Sequence, residues 1–223
     1  KISKNDHIHI LELSIFRMAL RDLNIKNFYS PNRDDDFLYD LYIPSLTEAT
    51  NYKRLSGYFS SNALAESARG LKQFVLNKGK MQMVLGVIIT EQDQEAIKNA
   101  SDPTKMIKDF SNEFHNLSER DIQKKHIQIL GWMIKEKLLE IKIAAVSKPG
   151  IFHMKIGIFE DDNATKLAFH GSTNETGQAL LYNDEAISTS CTWDEEDWNR
   201  HGVEWDKEFE IYWTGTPSNS MVF

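Results

Sequence analysis

The chain has 223 residues, 41% of them hydrophobic, with 12 Phe, 7 Tyr and 5 Trp, which is enough for one substantial core and excludes disorder. Its net charge of −7 opposes a broad basic surface for sequence-independent nucleic-acid binding and leaves room for a local positive groove. No apolar run approaches the roughly 18 residues of a membrane span, and a single cysteine, Cys191, excludes an internal disulfide framework or a multi-cysteine zinc site.

The chain opens KISKND, without an initiator Met or a charged-then-apolar leader, which leads us to expect a piece of a cytoplasmic protein. Residues 8 to 24 carry Ile10, Leu11, Ile15, Met18, Ala19 and Leu23 at helical spacing, so 1–36 reads as an N-terminal helical segment. FLYDLYIPSLTEAT reads as a helix broken at Pro44, and YKRLSGYFS as a short strand. Ser60 and Ser61 are placed to cap a helix that runs to about Asn77 and closes at Lys78-Gly79, before KMQMVLGVII supplies a second strand. Strand, helix, strand is how a parallel or mixed sheet begins.

Thr90 with Asp93, and Ser118 with Asp121, have the spacing of capping boxes for two more helices, the second reaching about Leu138. LEIKIAAV is a third strand. IFHMKIGIFEDDNATKLAFHGSTNET then reads as a hairpin with a turn at EDDNAT. Alternation puts Met154, Ile156 and Ile158 on a core face and His153, Lys155 and Gly157 on a face that is a surface or a site. In the obvious register, Gly171-Ser172-Thr173-Asn174 return close to His153 and Lys155. AISTSCTW is the next strand, with Cys191 as a buried small hydrophobe. A Trp-rich helix follows from about Asp194 to Trp213, burying Trp198, Val203, Trp205 and Phe209. GTPSNSMVF loses periodicity and reads as a linker over 216–223.

A lone His-x-Lys carries little information. The ordered set His153-x-Lys155, Gly171-Ser172-x-Asn174 and Glu185 carries more, and it resembles the pattern of the phospholipase D superfamily. GIFHMKIGIF, GSTNET and NDEAI are most similar to its nuclease branch: the domain that precedes the motor in bacterial DEAD/DEAH-type helicases and, more distantly, a metal-independent type IIS restriction enzyme. RLSGYFSS and KMQMVLGV extend the resemblance over residues 37–215, which are expected to form one α/β phospholipase D-like domain, a mixed sheet flanked by helices.

The resemblance implies a DNA phosphodiesterase acting as an endonuclease. His153 would be the nucleophile that forms a phosphohistidine, Lys155 and Asn174 would bind phosphoryl oxygens with help from Ser172, and Glu185 would orient an imidazole. Lysine charge can stand in for a divalent cation, so neither a metal nor another cofactor is implied. His7, His9, His115, His126, His170 and His201 all lack Lys two positions on, so the chain carries half of a two-histidine site. A homodimer sharing one active site is expected, linked to a helicase or DNA-recognition domain in a restriction or defence system. Glu160 stands five residues after Lys155, where the superfamily usually has Asp.

Other readings stay open. A catalytically quiet DNA-binding or dimerisation module would keep the same fold. Phosphatidyl transfer on lipids would require an apolar or basic amphipathic surface segment that the sequence does not show. His170 and His201 near Glu204 and Asp206 lack the spacing of a metal site. No Gly-x4-Gly-Lys-Ser/Thr motif is present, so this chain is not itself a motor.

Overall fold

A computed structural model describes residues 18–223. Its centre is one eight-stranded mixed sheet in the order β1-β7-β6-β5-β2-β3-β4-β8. The strands are β1 (Phe28–Tyr29), β2 (Asn51–Phe59), β3 (Lys80–Ile88), β4 (Leu139–Val146), β5 (Lys155–Glu160), β6 (Lys166–Gly171), β7 (Ile187–Cys191) and β8 (Ser220–Val222). The strands β2, β3 and β4 run parallel, while β5, β6, β7 and β1 continue antiparallel from the other side of β2. The strand β2 therefore has a parallel neighbour on one side and an antiparallel one on the other.

The helices follow from local chemistry. A wide helical turn at Phe37–Tyr42 passes directly into α1 (Ile43–Glu48), with Pro44 near the start of α1, where its missing N–H is harmless. Between β2 and β3 lie α2 (Asn62–Glu66) and α3 (Ala68–Leu76), which break at Ser67 instead of forming the one helix expected. Ser61 does not cap α2 through its side chain; its hydroxyl meets His126 Nδ1 at 2.7 Å. Lys78, not Gly79, takes the left-handed conformation after α3, with φ 59°.

Thr90 caps α4 (Glu91–Ser101), accepting from the Asp93 amide. Asp93 does not complete the box, because its carboxylate accepts the Ser61 N–H at 3.0 Å. Ser118 and Asp121 form the full reciprocal box at the start of α5 (Glu119–Lys135). After β6 come α6 (Gly177–Leu181), the one-turn α7 (Glu195–Asp197), a wide turn at Trp198–Gly202, and α8 (Val203–Trp213).

Both faces of the sheet are covered. Tyr52, Met81, Met83, Leu85, Phe159, Leu167 and Phe169 pack with α1, α3 and α5 in the larger core. Leu55, Val84, Ile156, Ile158 and Ala168 pack with Phe152 and Phe209 in the smaller one, and Trp198 and Trp205 close its edge. Of the four residues expected to be buried, Phe209 is fully so, while Trp198, Val203 and Trp205 are half-buried. Cys191 is buried, which pushes its thiol up to about 12.

Two terminal expectations change. Residues 8–17 of the predicted first helix lie outside the described residues; beyond them, Leu20–Asp22 makes a single turn, and Phe28–Tyr29 pairs with β7 instead of coiling. At the other end, Ser220–Val222 pairs antiparallel with Ala144–Val146. The sheet therefore extends past 37–215 in both directions, and the residues read as a linker add an edge strand. No helix among the described residues is long and apolar enough to cross a membrane.

Candidate active site

The hairpin forms as the sequence predicts, with Ile156 opposite His170 and Gly157 opposite Phe169. Asp161 sets its turn by accepting from the Asn163 and Thr165 amides at 2.9 and 3.0 Å, and Ala164 takes the left-handed conformation with φ 58°. The expected alternation needs correction at its start. Strand pairing begins at Lys155, so His153 lies in the connection before β5, exposed while Lys155 is buried. Nor is the Lys155 face open. Lys155 is 5% exposed and Phe159 is fully buried, because helices cover that side of the sheet as well.

His153 is carried to the carboxyl ends of the parallel strands β2 and β3, where α/β sheets commonly place ligands. The preceding residue does the anchoring. Phe152 is buried in the smaller core, its ring edge-on to Tyr212 at 5.2 Å, so the next side chain is left exposed at the strand ends. Two facing glycines allow this approach. A Cβ on Gly86 would sit 2.8 Å from the Phe152 carbonyl oxygen. One on Gly57 would meet that oxygen at 3.1 Å, His153 Cδ2 at 3.2 Å and Asn174 Oδ1 at 3.3 Å. The missing side chain of Gly57 is thus the common floor under His153 and Asn174.

Three of the five predicted site residues converge here. His153 presents its ring edge-on to Tyr58, with centroids 6.2 Å apart. Asn174 Oδ1 accepts the Tyr58 backbone N–H at 3.2 Å, which fixes the amide's orientation and leaves Nδ2, the donor an anion needs, pointing the other way. Lys155 Nζ donates to the His153 carbonyl at 3.0 Å. Burial depresses the Lys155 pKa, and the Arg54 charge adds to the effect. Glu185 acts in the opposite direction.

Ser172 and Glu185 form a second pair. The Ser172 hydroxyl donates to Glu185 in a short hydrogen bond and accepts from the Ala186 amide at 3.1 Å. The other oxygen of Glu185 accepts from Asn183 Nδ2 at 3.1 Å. Glu185 is thus hydrogen-bonded to Ser172 across the loop and to Asn183 on its own turn, and no hydrogen bond joins it to an imidazole within the single chain; it lies close enough to Lys155 to favour the ammonium. Glu160, at the usual Asp position, sits on the turn end of the hairpin, 3.8 Å from Lys166 Nζ and away from His153.

Sequence reasoning missed the support under this site. Arg54 and Glu175 are both fully buried, with Arg54 Nε 3.0 Å from Glu175 Oε2 in an ion contact outside hydrogen-bond alignment. Arg54 Nη2 donates to the Thr173 carbonyl at 2.6 Å. Tyr52 donates to Glu175 at 3.0 Å and Tyr42 does so in a short hydrogen bond; burial and the Glu175 charge push both phenols well above their ordinary pKa. An Arg inside the apolar strand RLSGYF was the available signal.

His170 and His201 both stack on Trp205, with ring centroids 5.6 and 6.1 Å away. Among the described residues no group of three or more His, Cys, Asp and Glu is arranged to hold a metal ion.

No family model and no curated protein sequence matches the chain. Solved structures do resemble it. NucT from Helicobacter pylori aligns at 17% identity and TM-score 0.47, over 88% of this chain and 97% of its own. A phospholipase D family member, Nuc from Salmonella typhimurium, aligns at 13% identity and TM-score 0.42, over 82% and 88%. Yeast tyrosyl-DNA phosphodiesterase aligns at 14% identity and TM-score 0.39, over 65% of this chain, which spans 26% of that enzyme's length.

Proposed function

We propose that the chain is a metal-independent phosphodiesterase that cleaves DNA as an endonuclease module. The observation that carries this reading is the convergence of an exposed imidazole, an oriented carboxamide and a buried ammonium around Gly57. A phosphodiester carries a negative charge that repels nucleophiles, so its cleavage needs a nucleophile beside fixed donors for the phosphoryl oxygens. His153 supplies the first; Lys155 and Asn174 supply the second.

In this mechanism a nitrogen of His153 attacks phosphorus while the bond to the leaving oxygen breaks, and an acid protonates that oxygen. The partner's His153 is that acid, across a two-fold axis of a homodimer. It then takes a proton from water, whose oxygen attacks the phosphohistidine and releases His153. Glu185 supports the Lys155 charge and holds Ser172. A linked helicase or DNA-recognition domain would deliver the DNA, which suits a module of net charge −7 that lacks a broad basic surface.

Supercoiled plasmid and single-stranded DNA in excess EDTA test this, with the parent and the His153→Ala variant compared at several protein concentrations. Cleavage by the parent alone, rising steeply with concentration, supports the dimeric site. Cleavage that survives in the variant sinks the assigned nucleophile.

A second reading is a catalytically quiet DNA-binding or dimerisation module. The use of both Glu185 carboxylate oxygens by Ser172 and Asn183 favours it. DNA binding and dimerisation without turnover, also in the longer protein with ATP, would establish it.

A further inference from the structure

Arg54 lies in the middle of β2 with no exposed surface, on the strand face that also carries Tyr52 and Ser56. A guanidinium stripped of water must find partners or destabilise the fold. Its polar partners all come from one short loop. Nη2 holds the Thr173 carbonyl and Nε contacts the Glu175 carboxylate, while the Phe169 ring lies 4.9 Å from the guanidinium carbon. Glu175 is tied down at every polar group: Tyr42 and Tyr52 on its carboxylate, Ser56 Oγ accepting its amide at 2.9 Å, and its carbonyl accepting the Ser60 amide at 3.0 Å. Asn174 is the residue between the two anchors.

We propose that Arg54 and Glu175 are positioning residues: by clamping the residues on either side of Asn174 to β2, they hold its carboxamide beside His153 with Nδ2 turned toward the substrate. The effect on turnover rests on the phosphodiesterase reading above. The structural half of the inference does not.

Two physical points favour a positioning role over a purely stabilising one. A buried ion pair contributes little net stability compared with apolar residues of similar volume, so stability alone does not call for Arg and Glu here. Directional contacts on consecutive residues also do what packing cannot: they fix the rotation of the intervening peptide units. The Asn174 backbone cannot turn without breaking the contact at Thr173 or the one at Glu175, which sets where its carboxamide begins. Its Oδ1 contact with the Tyr58 amide reports directly on that orientation.

The test uses the whole chain and three variants: Glu175→Gln, Tyr52→Phe, and the paired Arg54→Met with Glu175→Leu, which removes both charges and so avoids a lone buried one. Hydrogen exchange at the Tyr58 amide is measured beside that of Val84 in the middle of β3. We expect Tyr58 exchange to speed up by about tenfold or more in the paired variant while Val84 stays protected. On a short DNA substrate, kcat should fall by roughly 10- to 100-fold with KM little changed. Added to Asn174→Ala, the same substitutions should cost less than about threefold more, because they act through that residue.

A folded variant with unchanged Tyr58 protection overturns the proposal, as does a loss that simply multiplies with that of Asn174→Ala. If Glu175→Gln or the paired variant fails to fold, Tyr52→Phe, which deletes one hydrogen bond, decides by the same readouts. If neither the parent nor the longer protein with ATP cleaves DNA, the phosphodiesterase reading fails, and Tyr58 exchange still decides whether the clamp holds Asn174.

Discussion

The Lys155 ammonium donates back to the carbonyl of His153, 3.0 Å away, while only 5% of Lys155 is exposed. A strand residue two positions after the candidate nucleophile thus grips the nucleophile's own backbone. The same charge that would neutralise phosphoryl oxygen also restrains the extended connection that carries the imidazole.

Burying that charge has a cost, and Lys155→Met should remove it. The Lys155 pKa is held below its ordinary 10.5, first by burial and then by Arg54. The folded state therefore disfavours the proton, and the unfolded chain binds more of it. The stability cost is full below the depressed folded value and disappears as pH rises through that value toward 10.5. Thermal melts should show the methionine variant equal to or more stable than the parent at neutral pH, with the gap closing in the alkaline range, while cleavage is lost. A variant strongly destabilised at neutral pH would contradict this assignment of the shift.

Substituting His153 by Ala should abolish cleavage, by at least about 10³-fold, and leave the melting temperature nearly unchanged. The ring is exposed, and exposed substitutions usually stay within about 0.5 kcal/mol. Differential scanning calorimetry beside the plasmid assay checks both halves. A large drop in stability would show that the imidazole is a packing element.

Gly57→Ala tests the floor of the site. The added methyl would press on the Phe152 carbonyl, His153 Cδ2 and Asn174 Oδ1 together at 3.1–3.3 Å. Relief requires moving the two functional side chains or the backbone between them. We expect a loss of about 1–3 kcal/mol, with kcat reduced more than DNA affinity. Unchanged kcat in the purified variant would mean that His153 and Asn174 need not meet.

Removing residues 216–223 should expose the edge of β4. Ala144, Ala145 and Val146 pair with Val222, Met221 and Ser220, so deletion leaves a row of unpaired backbone groups beside an apolar strand. Light scattering should detect concentration-dependent association, and the melting temperature should fall by a few degrees. A monodisperse, equally stable deletion variant would show that β8 is dispensable.

Periodicity and turn chemistry made the architecture largely legible. The parallel β2 and β3 joined through helices, the Ser118–Asp121 box, the hairpin turn and the burial of Phe209 on α8 are each encoded by contiguous residues whose spacing matches the repeat of the element they form. The return of Asn174 to His153 was legible for the same reason, because a hairpin's register is set by its own turn.

Tertiary structure decided the rest. Alternation showed that Lys155 and Ile156 face opposite ways, but the covering of both faces depends on helices drawn from distant segments. Phe28–Tyr29 and Ser220–Val222 are too short to show a period, and only their neighbours β7 and β4 make them strands. The clamp of Arg54 on Thr173 and Glu175 joins residues about 120 positions apart in sequence, and nothing local in either segment specifies the other. By itself the sequence determined which chemical groups the chain carries and the local elements that hold them. Which of those groups meet, and which are withdrawn from water, was decided by long-range packing, because desolvation and hydrogen-bond geometry arise only when separate segments close on one another.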